Sequence, residues 1–188
     1  MARPKEFEKA AALEAAIGVF REHGFAHTSA SMLTDAMKIG RQSLYDTFGD
    51  KWQLYCAAVD QYGLDERAAH LAALETGPRA IDGVARMIER IVAEARRPCL
   101  GVGSTSEFGD GQADLNAIRD RHGRVLRDAI AARIRAARTA GDMPSDVDPE
   151  EAAGFLLASI AAVRLAARGG ASDAELASIG RMALRALT

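Results

Sequence analysis

The chain of 188 residues is 48% hydrophobic and 27% charged, a composition that excludes disorder, and aromatics make up only 5%, so the core has to be built from Ala, Leu, Ile and Val. No apolar run nears the roughly 18 residues that cross a bilayer, and the start, MARPKEFEKA, has no apolar stretch of signal-peptide type, so a soluble cytoplasmic protein without membrane contact is expected. The formal net charge of -2 gives no bulk attraction to nucleic acid, so any DNA binding has to come from local charge placement.

Helical spacing recurs along the chain, with no alternating apolar and polar run bounded by turn signals. The fold class is therefore all-α, with about nine helices. On the first, about residues 5–23, Phe7, Ala11, Leu13, Ala16, Ile17 and Phe20 share a face, and Gly24 stops it. Thr28 or Ser29 caps a short second helix carrying Met32, Leu33, Ala36 and Met37. Met37-Lys38-Ile39-Gly40 is a tight turn into a third short helix, Arg41–Phe48. Asp50 with Gln53 three residues on is a capping box that opens a fourth helix, running to about residue 75. Gly77 breaks the chain, and Pro78 suits the first position of a fifth helix bearing Ile81, Val84, Met87, Ile88, Ile91 and Val92. Residues 98–111 are glycine-rich, with a short helix from Ser104 to Phe108. A long helix spans about 113–139 and ends at Gly141. Asp148-Pro149 opens the next, to about Arg168, and Ser172 with Glu175 is a capping box that starts the last.

Three short helices at the start, the second and third separated by a few residues, fit a helix-turn-helix. Leu44 and Phe48, four apart, lock the third helix into a core and leave Arg41, Gln42, Ser43, Tyr45 and Thr47 pointing elsewhere. Arg can donate two bonds to guanine, Gln can pair with adenine and Ser can reach either, an inventory suited to the major groove. Tyr45 and Lys51 can bind phosphate oxygens, Lys51 at a helix N-terminus whose amides also favour an anion. The plain alternative is a solvated helix face. Charge over residues 1–60 is balanced, so affinity has to rest on placement and should be salt-sensitive. Arg3 and Lys5 are either a basic arm on the DNA backbone or a solvated terminus.

The stretch Ala11–Tyr55 resembles the DNA-binding domain of the TetR family of bacterial one-component regulators. The matching residues are Phe20, Gly24, Thr28-Ser29, Leu33 and the run IGRQSLYDTFGDKWQLY over 39–55, with Leu44-Tyr45, Phe48 and Lys51 in the signature positions. The motif covers about a quarter of the chain. The resemblance implies a DNA-binding helix-turn-helix domain over 1–50 and a helical ligand-binding and dimerisation bundle over 51–188. Its DNA-contacting set is Thr28, Ser29, Lys38, Arg41, Gln42, Ser43, Tyr45, Thr47 and Lys51. The chain departs from the pattern at the turn, where Lys38 stands near a usual Gly and would be strained at positive φ, though it can add a phosphate contact. Thr34 replaces a usual Ala. Asp46 repels phosphate and is left out of the set.

The resemblance further implies a homodimer through the last two helices, which matches the symmetry of a palindromic double-stranded operator. Glu at Leu157 or Ile160 is expected to break that interface. It also implies a repressor released by a small inducer. Sparse aromatics and a scarcity of central charge point to an apolar or weakly polar molecule. Tyr62, Met87, Ile91, Phe108, Val125 and Phe155 can line its pocket or equally well pack the core. Cys99 opens the glycine-rich stretch beside Arg96 and Arg97, as a reactive thiol or an ordinary buried one, and Cys56 lies on an apolar helix face as core. Neither cysteine has disulfide-framework or zinc-site spacing. His23, His27, His70 and His122 lack paired ligand spacing, and no HExxH, GxSxG or GxxxxGKS run occurs. Glu107, Asp110 and Asp114 are explained by a solvated loop. No catalytic, cofactor or metal residues are assigned, and no enzyme is expected. A helical ligand carrier or scaffolding protein without DNA binding is the alternative; it would show no salt-dependent duplex binding.

Overall fold

The computed structural model describes residues 3–187, with side chains described from Lys9 onward; the expectations for Phe7, Arg3 and Lys5 lie outside the described side chains. Among the described residues there are nine helices and no strand. They are α1 (Arg3–His23), α2 (Ala30–Met37), α3 (Arg41–Phe48), α4 (Lys51–Leu74), α5 (Ala80–Ala93), α6 (Leu100–Phe108), α7 (Ala113–Ala140), α8 (Pro149–Arg168) and α9 (Asp173–Arg185). None of these is long and apolar enough to cross a membrane. They form two compact units. One holds residues up to Leu64 with Cys99–Asp120, the other Asp65–Pro98 with Arg121 onward.

The core of the first unit joins Ala12, Ala16, Ile17 and Phe20 of α1 to Leu33, Met37, Leu44, Phe48, Leu54, Tyr55, Leu100 and Leu115. Ala11 was expected on this face but is exposed. The buried stripe runs through Ala12, Ala16 and Phe20, one position along. The scarce aromatics are concentrated here. Phe20 and Tyr55 meet edge-on at 5.0 Å, and Phe25, Trp52 and Phe108 meet one another at 5.2–5.6 Å. Each such pair contributes about 0.5–1.5 kcal/mol beyond area burial. That packing explains why α6 starts at Leu100 and not Ser104 as expected. Gly101 and Gly103 weaken a helix, but Leu100 and Ser104 are buried. Ser104 and Thr105 also return their hydroxyls to the carbonyl of Gly101. Cys56 is half-buried, not core, and burial, with Asp114 and Asp50 nearby, pushes its thiol up to about 11. Cys99 is half-buried at the N-cap of α6.

In the second unit α5, α7, α8 and α9 share a core that includes Val84, Met87, Ile91, Ile130, Ile134, Ala153, Leu156, Val163 and Leu176. Pro78 is not the first residue of α5. The Asp82 carboxylate accepts the Arg79 backbone N–H at 3.1 Å and its guanidinium at 2.6 Å, so the helix starts after Arg79. Asp148 accepts from the N–H groups of Glu150 and Glu151, both at 2.9 Å, and starts α8 with Pro149 in its first turn, as the sequence indicates. The interior is not short of charge, contrary to expectation. Arg164, its side chain 4% exposed, meets Glu66 at 3.4 Å and donates to the carbonyls of Glu94 and Arg97. Arg90 bridges Glu66 at 3.0 Å and Glu94 at 3.1 Å, and donates to His70 Nδ1 at 3.2 Å. Met87 and Ile91 are core, while Val125 and Phe155 are exposed, so this quartet does not line one cavity.

Candidate nucleic-acid interface

The geometry begins at the end of α1. Gly24, at φ +71°, reverses the backbone, and the buried Thr28 returns its hydroxyl to the Gly24 carbonyl at 2.5 Å. Ser29 caps α2, its Oγ accepting the Met32 N–H at 3.2 Å. Thr28, in the contact set that the resemblance implies, is buried at 2% exposure, where its side chain locks the α1–α2 turn. Ser29 stays at the surface, at the N-terminus of α2.

Lys38 closes α2 in the left-handed region, at φ 55° and ψ 39°, the strained position anticipated from the sequence. Its backbone N–H and that of Ile39 both return to the Thr34 carbonyl. Gly40 then starts α3 in extended conformation. Leu44, 1% exposed, and Phe48, 9% exposed, fix α3 from beneath. Arg41, Gln42, Ser43 and Thr47 are exposed together, and Tyr45 is half-buried. The Arg41 guanidinium lies over the Tyr45 ring at 5.8 Å, which limits its freedom before any contact is made. Gln42 donates one amide hydrogen to Asp46 at 2.8 Å, leaving its carbonyl oxygen and second hydrogen for a base edge. Asp46, left out on charge grounds, thus orients Gln42.

Asp50 and Gln53 exchange the expected capping bonds, 2.7 Å and 3.2 Å, and start α4. Lys51 follows in the first turn, half-buried, its ammonium 4.2 Å from the Phe25 ring centre. Trp52 and Tyr55 pack on the same Phe25 ring within the aromatic cluster. The Tyr55 hydroxyl is held above its usual range by burial, with Glu107 adding to the effect.

Sequence reasoning missed Glu107. It is not a loop acid. From α6 its carboxylate accepts the backbone N–H groups of Phe25 and Ala26, at 2.9 and 2.7 Å. No local pattern signals this, because the partners are 82 and 81 residues away.

Residues 12–58 match the family model described as bacterial regulatory proteins, tetR family. An uncharacterized HTH-type transcriptional regulator of Bacillus subtilis (strain 168), YezE, is 32% identical over 148 residues, 76% of each chain. The HTH-type transcriptional repressor ComR of Escherichia coli (strain K12) is 28% identical, with 97% of this chain and 90% of ComR covered. Among solved structures, a CifR cysteine mutant complexed with 26-bp double-strand operator DNA is 29% identical, with TM-score 0.78 over 93% of this chain and 94% of that one. A regulator from Chloroflexus aurantiacus J-10-FL shares the fold with TM-score 0.85, at 20% identity over 97% of this chain and 95% of its own. With its helix-turn-helix, these relatives place the chain in the TetR family of bacterial transcriptional regulators.

Proposed function

We propose that this regulator binds a palindromic double-stranded operator as a homodimer, with α3 in the major groove, and represses until a small molecule releases it. The observation that carries the reading is α3 itself. Arg41, Gln42 and Ser43 are exposed side by side while Leu44 and Phe48 anchor the opposite face. That 28–29% identical CifR structures contain operator DNA supports it. In this reading residues 1–50 read DNA, and residues 51–188 bind the small molecule and dimerise. Ser29, Lys38, Tyr45, Thr47 and Lys51 hold the backbone; Arg41, Gln42 and Ser43 read bases.

In this reading the dimer surface lies on α8 and α9, through side chains other than Leu157 and Ile160. Leu157 and Ile160 are half-buried against this chain's own core. The outward stripe of α8 is Phe155, Ala158, Ala162 and Leu165, and Met182 is exposed on α9. Phe155, Leu165 and Met182 are 47%, 48% and 58% exposed, more apolar surface than an isolated subunit needs to show.

The test is selection of duplexes from a random-sequence library by the wild-type chain, repeated with Arg41→Ala and Gln42→Ala. Each variant should lose about 1–3 kcal/mol of discrimination at one position of each half-site. Unchanged sequence preference in the double variant overturns the assignment of α3.

A further inference from the structure

The α1–α2 turn presents two consecutive N–H groups, those of Phe25 and Ala26, just after the left-handed Gly24. Successive amides of this kind form a concavity that favours an anion. The acceptor they find is the Glu107 carboxylate, which comes from α6 and takes one amide on each oxygen. The fit is close: a Cβ on Gly24 would lie 3.0 Å from Glu107 Oε2. Glu107 is itself exposed, so its two bonds are its main engagement and not a by-product of core packing.

The end of α6 is held from two further sides. Arg119 of α7 donates to Thr105 Oγ1 at 3.1 Å, and to the Gly109 carbonyl and Asn116 Oδ1. Phe108, next to Glu107, packs on Trp52 at 5.2 Å and Phe25 at 5.6 Å. The turn that Glu107 grips carries Thr28 and then Ser29, the N-cap of α2, and α2 passes through the Lys38 turn to α3. Whatever sets the position of α6 is therefore read at the residue pair from which the DNA-reading helices start.

We propose that Glu107 is a positioning residue for the DNA-reading helices: its carboxylate fixes the α1–α2 turn, and operator affinity depends on that bond pair. The proposal rests on the operator-binding reading above. It makes an unusual prediction of sign. Removing an acidic charge near DNA should by electrostatics alone tighten binding, whereas loss of the positioning bonds should weaken it.

The experiment compares Glu107→Ala, Glu107→Gln and, as a charge control, Asp110→Ala, an exposed acid three residues on. The probes are amide hydrogen exchange and affinity for a duplex that the wild-type chain selects from a random-sequence library. Glu107→Ala should speed exchange at Phe25 and Ala26 by about tenfold or more and weaken duplex binding about tenfold, the scale of a hydrogen bond to a charged acceptor. Glu107→Gln retains one acceptor oxygen and should fall between, with a melting temperature close to wild type. Asp110→Ala should leave both readouts unchanged or bind slightly tighter. Unchanged exchange in Glu107→Ala overturns the proposal, as does faster exchange with undiminished affinity. If the wild-type chain selects no duplex, the operator-binding reading fails and the positioning role falls with it. The exchange data then report separately whether Glu107 still holds the turn.

Discussion

Lys38 holds a backbone conformation that suits glycine, φ 55° and ψ 39°, at the corner on which α3 turns. A side chain there costs about 1 kcal/mol, and Lys38 is exposed, so burial of its side chain does not offset that cost. A phosphate contact would. Lys38→Gly should therefore raise unfolding stability by about 1 kcal/mol, while lowering the salt slope of duplex binding by about one. Lys38→Ala should lower the slope without the stability gain. Denaturant titration and binding at several salt concentrations check both, and an unaltered slope in both variants removes Lys38 from the contact set. At this scale the sequence shows Arg41, Gln42 and Ser43 clearly, because Leu44 and Phe48 fix which face of a short helix is covered. It does not separate Thr28 from Ser29. Both hydroxyls can cap, and the choice depends on which one the turn buries. Glu107 carries no local signal at all, since what gives it meaning is a pair of backbone amides in a distant part of the chain.

Between elements, close helix approach is set by glycines inside the helices. In α5 a Cβ at Gly83 would stand 2.0 Å from the Leu74 carbonyl oxygen at the end of α4. The obstacle is backbone, which cannot swing aside. Gly83→Ala should cost about 2–3 kcal/mol through forced separation of the two helices, although Ala is the better helix former. Gly180 in α9 is the softer case: its Cβ would meet Val92 Cγ2 at 2.7 Å and Ile88 Cγ2 at 3.2 Å. These are stiff β-branched side chains, not backbone, and yield by a small shift of packing rather than by rotation. Urea midpoints should therefore order the variants as wild type, Gly180→Ala, then Gly83→Ala, and a Gly83→Ala variant as stable as wild type contradicts the packing argument. Helix starts were legible where a side chain caps its own helix, at Asp50 with Gln53, Asp148 with Pro149 and Ser172 with Glu175. They were not legible at α5 and α6. There the Asp82–Arg79 pair displaced a proline rule, and burial of Leu100 overrode two glycines.

At the scale of the whole molecule, two features belong to no single helix. The exposed apolar side chains of Phe155 and Leu165 on α8 and Met182 on α9 are the surface on which the proposed homodimer rests. Phe155→Glu and Leu165→Glu should give folded monomers in sedimentation, because these side chains lie outside the subunit's own core. A dimer that survives both places the interface elsewhere. The other feature is the buried charge cluster of the second unit. His70, from α4, faces Glu66 on its own helix, Arg90 on α5 and Arg164 on α8, and Glu94, just beyond α5, pairs with both arginines. Burial and then Arg90 lower its pKa to about 4, against a partial upward pull from Glu66. Burial would raise Glu66, but the hydrogen bond and charge of Arg90, with His70 and Arg164, hold its carboxyl below the ordinary range. Above its ordinary 6.5, His70 is neutral in both folded and unfolded chains and contributes no pH dependence. Between 6.5 and about 4 the unfolded chain binds a proton that the folded chain refuses, so stability falls as pH falls. The full loss is on the order of 3 kcal/mol. Glu66 continues in the same direction below 4.5, because the unfolded carboxyl protonates first. His70→Gln keeps an acceptor for Arg90 and removes the titration. Denaturation midpoints between pH 7 and pH 4.5 should therefore fall more steeply for wild type than for His70→Gln. Equal slopes would mean that His70 takes up its proton in the folded protein as readily as in the unfolded one.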